Sequence, residues 1–165
     1  MTTAVLRWTG VGKAVSFYRY LAFNLPALTT LSALGLLLGL AAVQLWTAFT
    51  HRGVPGYFTA CLALLAAGSV LAAAGVARGW ATRAGRLRRR GRSAWTLGSL
   101  VSSASLAVYL VSRTAGLPGL GELKGRWDYV PGTLLMALAV LFVGLHLSVR
   151  TGLNVAAPDR RHWHD

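Results

Sequence analysis

Isoleucine is absent from this chain, cysteine occurs once, and only four residues are acidic: Glu122, Asp128, Asp159 and Asp165. A single cysteine, Cys61, excludes thiol–disulfide oxidoreductase chemistry within the chain, because exchange needs a second sulfur. We read Cys61 as a buried packing residue. None of the acids falls inside a long apolar run, so the intramembrane carboxylate expected of a proton-coupled exporter is missing. His146 is the one histidine inside such a run, which leaves a transmembrane haem without a second axial histidine. His162 and His164 have a spacing that suits a metal, but they lie in a polar tail with one adjacent acid, Asp165, and read as solvated. No serine or cysteine stands beside a base in a pattern that announces nucleophilic catalysis. The expectation is therefore a non-enzyme with no cofactor and no metal. The lack of isoleucine, together with fifteen arginines against two lysines, is the bias that GC-rich codons produce and points to a GC-rich bacterial source.

What the chain does have is apolar length. Of its 165 residues, 55% are hydrophobic and 13% charged, where soluble domains have about 45–50% and about 25%. A soluble fold has no interior large enough for that much apolar surface. The formal net charge of +13 would raise nucleic-acid binding if it formed a patch on a folded surface. It lies instead in the segments between apolar runs, where it acts on topology and on anionic lipid headgroups. Nucleic acid is not an expected partner.

Four runs predict membrane helices over residues 25–49, 57–77, 95–112 and 132–149, each near the ~20 residues that cross a bilayer core. The fold class that follows is all-α, a polytopic membrane protein built as an antiparallel bundle of four transmembrane helices with both termini cytoplasmic. Residues 1–24 form an N-terminal arm, 25–149 the membrane domain and 150–165 a tail. Asn24 and Ser93 are candidate N-caps, and Pro26 and Pro131 suit first turns, where the missing amide would have no intrahelical partner. Gly53-Val54-Pro55-Gly56 forces the first two runs into a hairpin. The first run is too long for a signal-peptide core and continues into Trp46 and Phe49. In the arm, Leu6, Trp8, Val11, Val15, Tyr18 and Leu21 fall near helical spacing, which suits an interfacial helix on the cytoplasmic leaflet.

Orientation follows from the cations. Thirteen Lys and Arg fall on the side of the termini and the middle linker, and four (Arg52, Arg113, Lys124, Arg126) on the other. Since Lys and Arg flanking spans are retained in the cytoplasm, the linker arginines Arg83, Arg86, Arg88, Arg89, Arg90 and Arg92 are expected there, as candidate contacts for anionic headgroups or an acidic partner.

Within spans the informative residues are small or polar. Ser32, Gly35, Gly39 and Ala42 step along one face of the first span; Gly68, Ala72 and Gly75 do so in the second, and Gly98, Ser102 and Ser105 in the third. Such seams let helix backbones approach closely in lipid. Packing within one bundle is the favoured reading, homodimerisation the alternative. The remaining polar groups are Gln44, His146 and the third-span hydroxyls Thr96, Ser99, Ser102, Ser103 and Ser105, read as structural more readily than as a substrate path.

The loop between the third and fourth spans carries Leu117-Pro118-Gly119, suited to a type II turn with glycine at the position of positive φ. Arg113 and Asp128 flank it, a candidate outer-loop ion pair or small anion site. The segment Arg113-Thr114-Ala115-Gly116-Leu117-Pro118-Gly119, followed by Trp127-Asp128 and a last apolar helix, resembles a motif of small four-helix integral membrane proteins of actinobacteria. The resemblance covers the final third of the chain and implies topology and source, not activity. The insert Leu120–Arg126 and a fourth span without an acid depart from that pattern. The functional expectation is a non-catalytic integral membrane protein of the bacterial cytoplasmic membrane, an accessory or interaction subunit with a cationic cytoplasmic face. The alternative is a small-molecule permeation or binding protein using the serine face of the third span, as an oligomer.

Overall fold

The computed structural model describes residues 26–50, 55–81, 85–121, 124–125 and 127–154, with 85–91 described by backbone only. The N-terminal arm and the tail beyond residue 154 lie outside the described residues. Among the described residues there are four helices: α1 (Pro26–Thr50), α2 (Gly56–Ala81), α3 (Gly85–Thr114) and α4 (Val130–Arg150). All four are long and apolar enough to cross a membrane, α3 through its part Arg92–Thr114. Each helix packs on its neighbour in sequence, and α4 closes the ring on α1. Adjacent helices therefore run antiparallel, while α1 and α3 stand diagonally opposite and parallel. One end of the bundle carries the α2–α3 linker (the linker end), the other the α3–α4 loop (the loop end).

Local chemistry accounts for most of the boundaries. Pro26 opens α1, and Pro55 starts α2 with its carbonyl accepting from the amides of Phe58 and Thr59 at 2.9 and 3.4 Å. Pro131 sits in the first turn of α4, whose N-cap Tyr129 has extended backbone (φ −78°, ψ 100°) and contributes no side-chain cap. The helix ends at Arg150, where the Thr151 amide reaches the Leu147 carbonyl at 2.9 Å. The Leu117–Leu120 turn forms as expected, with Gly119 at φ +76° and the Leu120 amide 2.9 Å from the Leu117 carbonyl. One expectation fails. Ser93 does not cap α3, because the helix begins at Gly85 and passes through it; arginine and leucine are good helix formers and residues 86–92 contain no proline to stop propagation.

The helices approach through glycine at four places. A Cβ at Gly75 would lie 2.6 Å from the Ala94 Cβ, at Gly68 2.9 Å from a Val101 methyl, and at Gly98 2.6 Å from the Phe142 ring; at Gly132 it would overlap the Tyr109 ring. Ala72 and Ser102 are fully buried beside them. A Cβ at Gly39 would meet Leu138 at ordinary contact distance, 3.4 Å. Gly35 is different: it is exposed, with Ser32 and Ala42, and a Cβ there meets nothing within 4 Å. Cys61, expected to be buried, is only half-buried.

The apolar interior is divided. One cluster toward the linker end joins Leu37, Ala72, Val76, Ala94, Trp95 and Phe142; a second toward the loop end joins Leu40, Tyr109, Leu135 and Ala139. Domains usually have a single contiguous core. What separates the two here is polar.

Candidate functional site

Most helical hydroxyls in this chain do what serine and threonine do in isolated helices, donating to a carbonyl three or four residues back. Thr30, Ser69, Thr96, Ser105, Ser112 and Thr114 all follow that rule. Ser99 breaks it. Its hydroxyl lies within hydrogen-bonding distance of His146 Nδ1 on α4, 47 residues away. The imidazole is buried and leans on Trp95 with ring centroids 5.9 Å apart, and Trp95 in turn stacks on Phe142 at 5.7 Å. With Ser99 donating, the neutral imidazole carries its proton on Nε2.

This is a nucleophile–base contact that the sequence did not announce. Its surroundings do not make it a hydrolase site. Ser99 lies in mid-helix, where the nearby amides are committed to the helical ladder and cannot serve an oxyanion, and among the described residues what fixes the imidazole is aromatic packing, not a carboxylate. The arrangement works as a clasp between α3 and α4.

A second clasp crosses the bundle axis. Gln44 Nε2 donates to Ser105 Oγ at 2.7 Å, and Ser105 donates to the Val101 carbonyl at 2.8 Å. Because the serine's one proton goes to Val101, Ser105 can only accept from Gln44, which fixes the amide with Oε1 pointing away. Gln44 and Ser102 are both 0% exposed, and Gln44 Oε1 and Ser102 Oγ have no hydrogen-bond partner among the described residues. Thus Ser99, Ser102 and Ser105 of the serine face point inward, while Thr96 and Ser103 are exposed.

At the loop end Arg113 is only 4% exposed. Its guanidinium carbon lies 5.4 Å from the centroid of Tyr109 and 5.3 Å from that of Tyr129, stacking that is worth about 0.5–2 kcal/mol, more when desolvated. Tyr109 meets Trp127 edge-on at 6.2 Å, and the Arg113 carbonyl accepts from the Gly125 amide at 3.0 Å. Burial pushes the Tyr129 phenol above its ordinary range, against a hydrogen bond to Thr47 and the charge of Arg113, which pull it down; the hydroxyl therefore stays neutral at physiological pH. Tyr57 donates to the Pro118 carbonyl and holds the turn against α2. Asp128, by contrast, is exposed. Of the two residues singled out at this loop, Arg113 is thus a tie between α3 and α4 under the loop, and Asp128 faces outward.

At the linker end Arg78, Arg92 and Arg150 are exposed. Arg78 and Arg150 occupy last helical turns, where a cation complements the helix dipole. Arg86, Arg88, Arg89 and Arg90 fall in the first two turns of α3 by backbone, and Arg83 lies outside the described residues. Among the described residues no group of three metal-ligating side chains converges.

No known protein family, curated protein or solved structure matches the chain. The motif from Arg113 to Gly119 therefore assigns no family, and the reading of function rests on the geometry above. Sequence reasoning had marked Gln44 and His146 as lone polar residues but missed their partners. The signal lay in the helical phase: Ser99, Ser102 and Ser105 share a face of α3, and only the bundle's registers bring 44 to 105 and 146 to 99.

Proposed function

We propose that this chain is a non-catalytic, multi-pass protein of the bacterial cytoplasmic membrane, with both termini and the α2–α3 linker in the cytoplasm. In this reading it is an accessory or interaction subunit whose cationic face engages anionic lipid or an acidic protein. One observation carries it. Five arginines, Arg86, Arg88, Arg89, Arg90 and Arg92, fall at the N-terminal end of α3, and two of them, Arg86 and Arg88, lie in the first turn, where the helix dipole is positive and a cation is disfavoured by about 0.3–1 kcal/mol. A run of five cations that begins against the helix dipole breaks a local rule, as functional surfaces do. Large apolar side chains around the whole bundle, Leu28, Leu64, Leu100 and Leu141 among them, are exposed; lipid accepts such a surface and water does not. The polar groups inside bond mainly to one another or to their own backbone, which supports a structural use for them.

The test separates topology from recognition. Replacing Arg88, Arg89 and Arg90 by Gln leaves Arg78, Arg83, Arg86 and Arg92 to hold orientation. Each cation near an anionic leaflet is worth about 1 kcal/mol, so liposome binding by a soluble 78–92 peptide is expected to fall on the order of 100-fold. Crosslinked partners of the full chain should disappear with topology intact. Partners that persist undiminished in a correctly oriented triple variant would leave the arginines as topology signals alone.

The inward serine face favours a second reading, a small-molecule binding or permeation protein. Intact mass from mild detergent distinguishes the two: a retained protein supports the first, and a retained small molecule lost in Gln44→Leu supports the second.

A further inference from the structure

The two apolar clusters meet at a layer of small side chains. The 61-residue offset of the Gln44–Ser105 bond recurs where Leu37 touches the Gly98 position, and the same offset sets Ala41 opposite Ser102. On α4, Ala139 falls at this level, between the Phe142–Gly98 and Gly132–Tyr109 contacts; on α2, Ala66 lies half a turn beyond the Gly68–Val101 contact. Ala41, Ala66 and Ala139 are buried to within 3%. Ser102 thus stands level with three small buried side chains, with Leu40 next to them, where the layers to either side hold Leu37, Trp95 and Phe142, or Tyr109 and Leu135.

Two polar atoms open onto this layer. Ser102 and Ser105 are three residues apart on α3, so their Cβ atoms are about 5–6 Å apart. Gln44 is bonded to Ser105 by Nε2, and its Oε1, like Ser102 Oγ, is buried with no partner among the described residues. A buried polar atom with no partner costs about 1–3 kcal/mol, and two in one layer double that. Gln44 Oε1 can only accept and Ser102 Oγ can do either, so the missing group must donate to the amide oxygen, exchange a bond with the hydroxyl and fit among alanines. Sites of this kind, polar and walled by small side chains, are where proteins keep internal water.

We infer that the layer is a binding site for water, in which a molecule donates to Gln44 Oε1 and bonds Ser102 Oγ. It makes the middle of the bundle a hydrated step between Ser99–His146 on the linker side and Arg113–Tyr129 on the loop side. The inference rests on the packing and not on either functional reading.

Radiolytic hydroxyl-radical labelling in 18O-water tests it on the full chain in mild detergent, because a trapped water generates radicals in place. Leu40 borders the layer and is 0% exposed, and Val76, at 2%, belongs to the linker-end cluster two turns away. After correction for intrinsic reactivity, Leu40 should carry several-fold more 18O than Val76, and Ala41→Leu, which fills the layer, should bring it down to the Val76 level. Ser102→Ala should lower the melting temperature by about 2–4 °C, as loss of one hydrogen bond does in a chain of this size. A dry layer gives the reverse, since removing an unpartnered hydroxyl leaves the melting temperature unchanged or higher. Leu40 labelling no greater than that of Val76 overturns the inference whatever the melting data, and so does a Ser102→Ala chain that melts at or above the parent.

Discussion

Adding one methyl group at Gly75 is expected to destabilise the bundle by about 1–3 kcal/mol, the usual cost of overpacking a filled interface. The added Cβ would sit 2.6 Å from the Ala94 Cβ and 3.7 Å from its Cα, and neither atom can rotate away as a long side chain would. Relief requires α2 and α3 to separate, which also loosens Val76, Ala94 and Trp95 in the linker-end cluster. Gly75→Ala should therefore melt several degrees below the parent in mild detergent, and Ala94→Gly introduced with it should recover most of the loss. Gly35→Ala is the control. Its Cβ meets nothing within 4 Å, and alanine is the better helix former by about 1 kcal/mol, so that variant should melt at or above the parent. Equal losses at Gly75 and Gly35, or no recovery on trimming Ala94, would mean that α2 and α3 do not pack as described.

The other large effect is all-or-none. With Cys61 replaced by alanine, a cysteine at Gly121 on the exposed loop should react fully with a membrane-impermeant maleimide in intact cells. One at Gly85, at the start of α3, should react only after the membrane is opened. The thirteen-to-four division of Lys and Arg between the two sides is the physical reason, since cations beside spans resist translocation. Labelling of Gly85 but not Gly121 in intact cells would invert the proposed orientation and move the arginine face outside.

Helix number and approximate extent were legible because membrane-length apolar runs are long signals that need no tertiary information. The Leu117–Leu120 turn was equally legible, since proline followed by glycine encodes its dihedral angles locally. The start of α3 was not. Ser93 marks where apolar periodicity begins, and an arginine-rich stretch can be helical without being apolar. The seams were half legible: spacing shows that Gly35, Gly39, Gly68, Gly75 and Gly98 lie on faces, but not which way a face turns, and Gly35 turns outward while the last three are packed. The polar interior was least legible. Gln44 with Ser105 and His146 with Ser99 depend on the relative rotation and height of helices far apart in sequence, which no local pattern carries.

The Gln44–Ser105 bond also imposes an order on assembly. Gln44 belongs to α1, and its partner stands 61 residues later in α3. The hairpin of α1 and α2 can form at once, but it carries an amide with nothing to satisfy it. That half-built bundle remains open on one side until α3 arrives, and only then does the diagonal close and α4 seal the ring. A stage that holds α1 and α2 alone therefore leaves Gln44 without the partner it has in the bundle, and α3 supplies it.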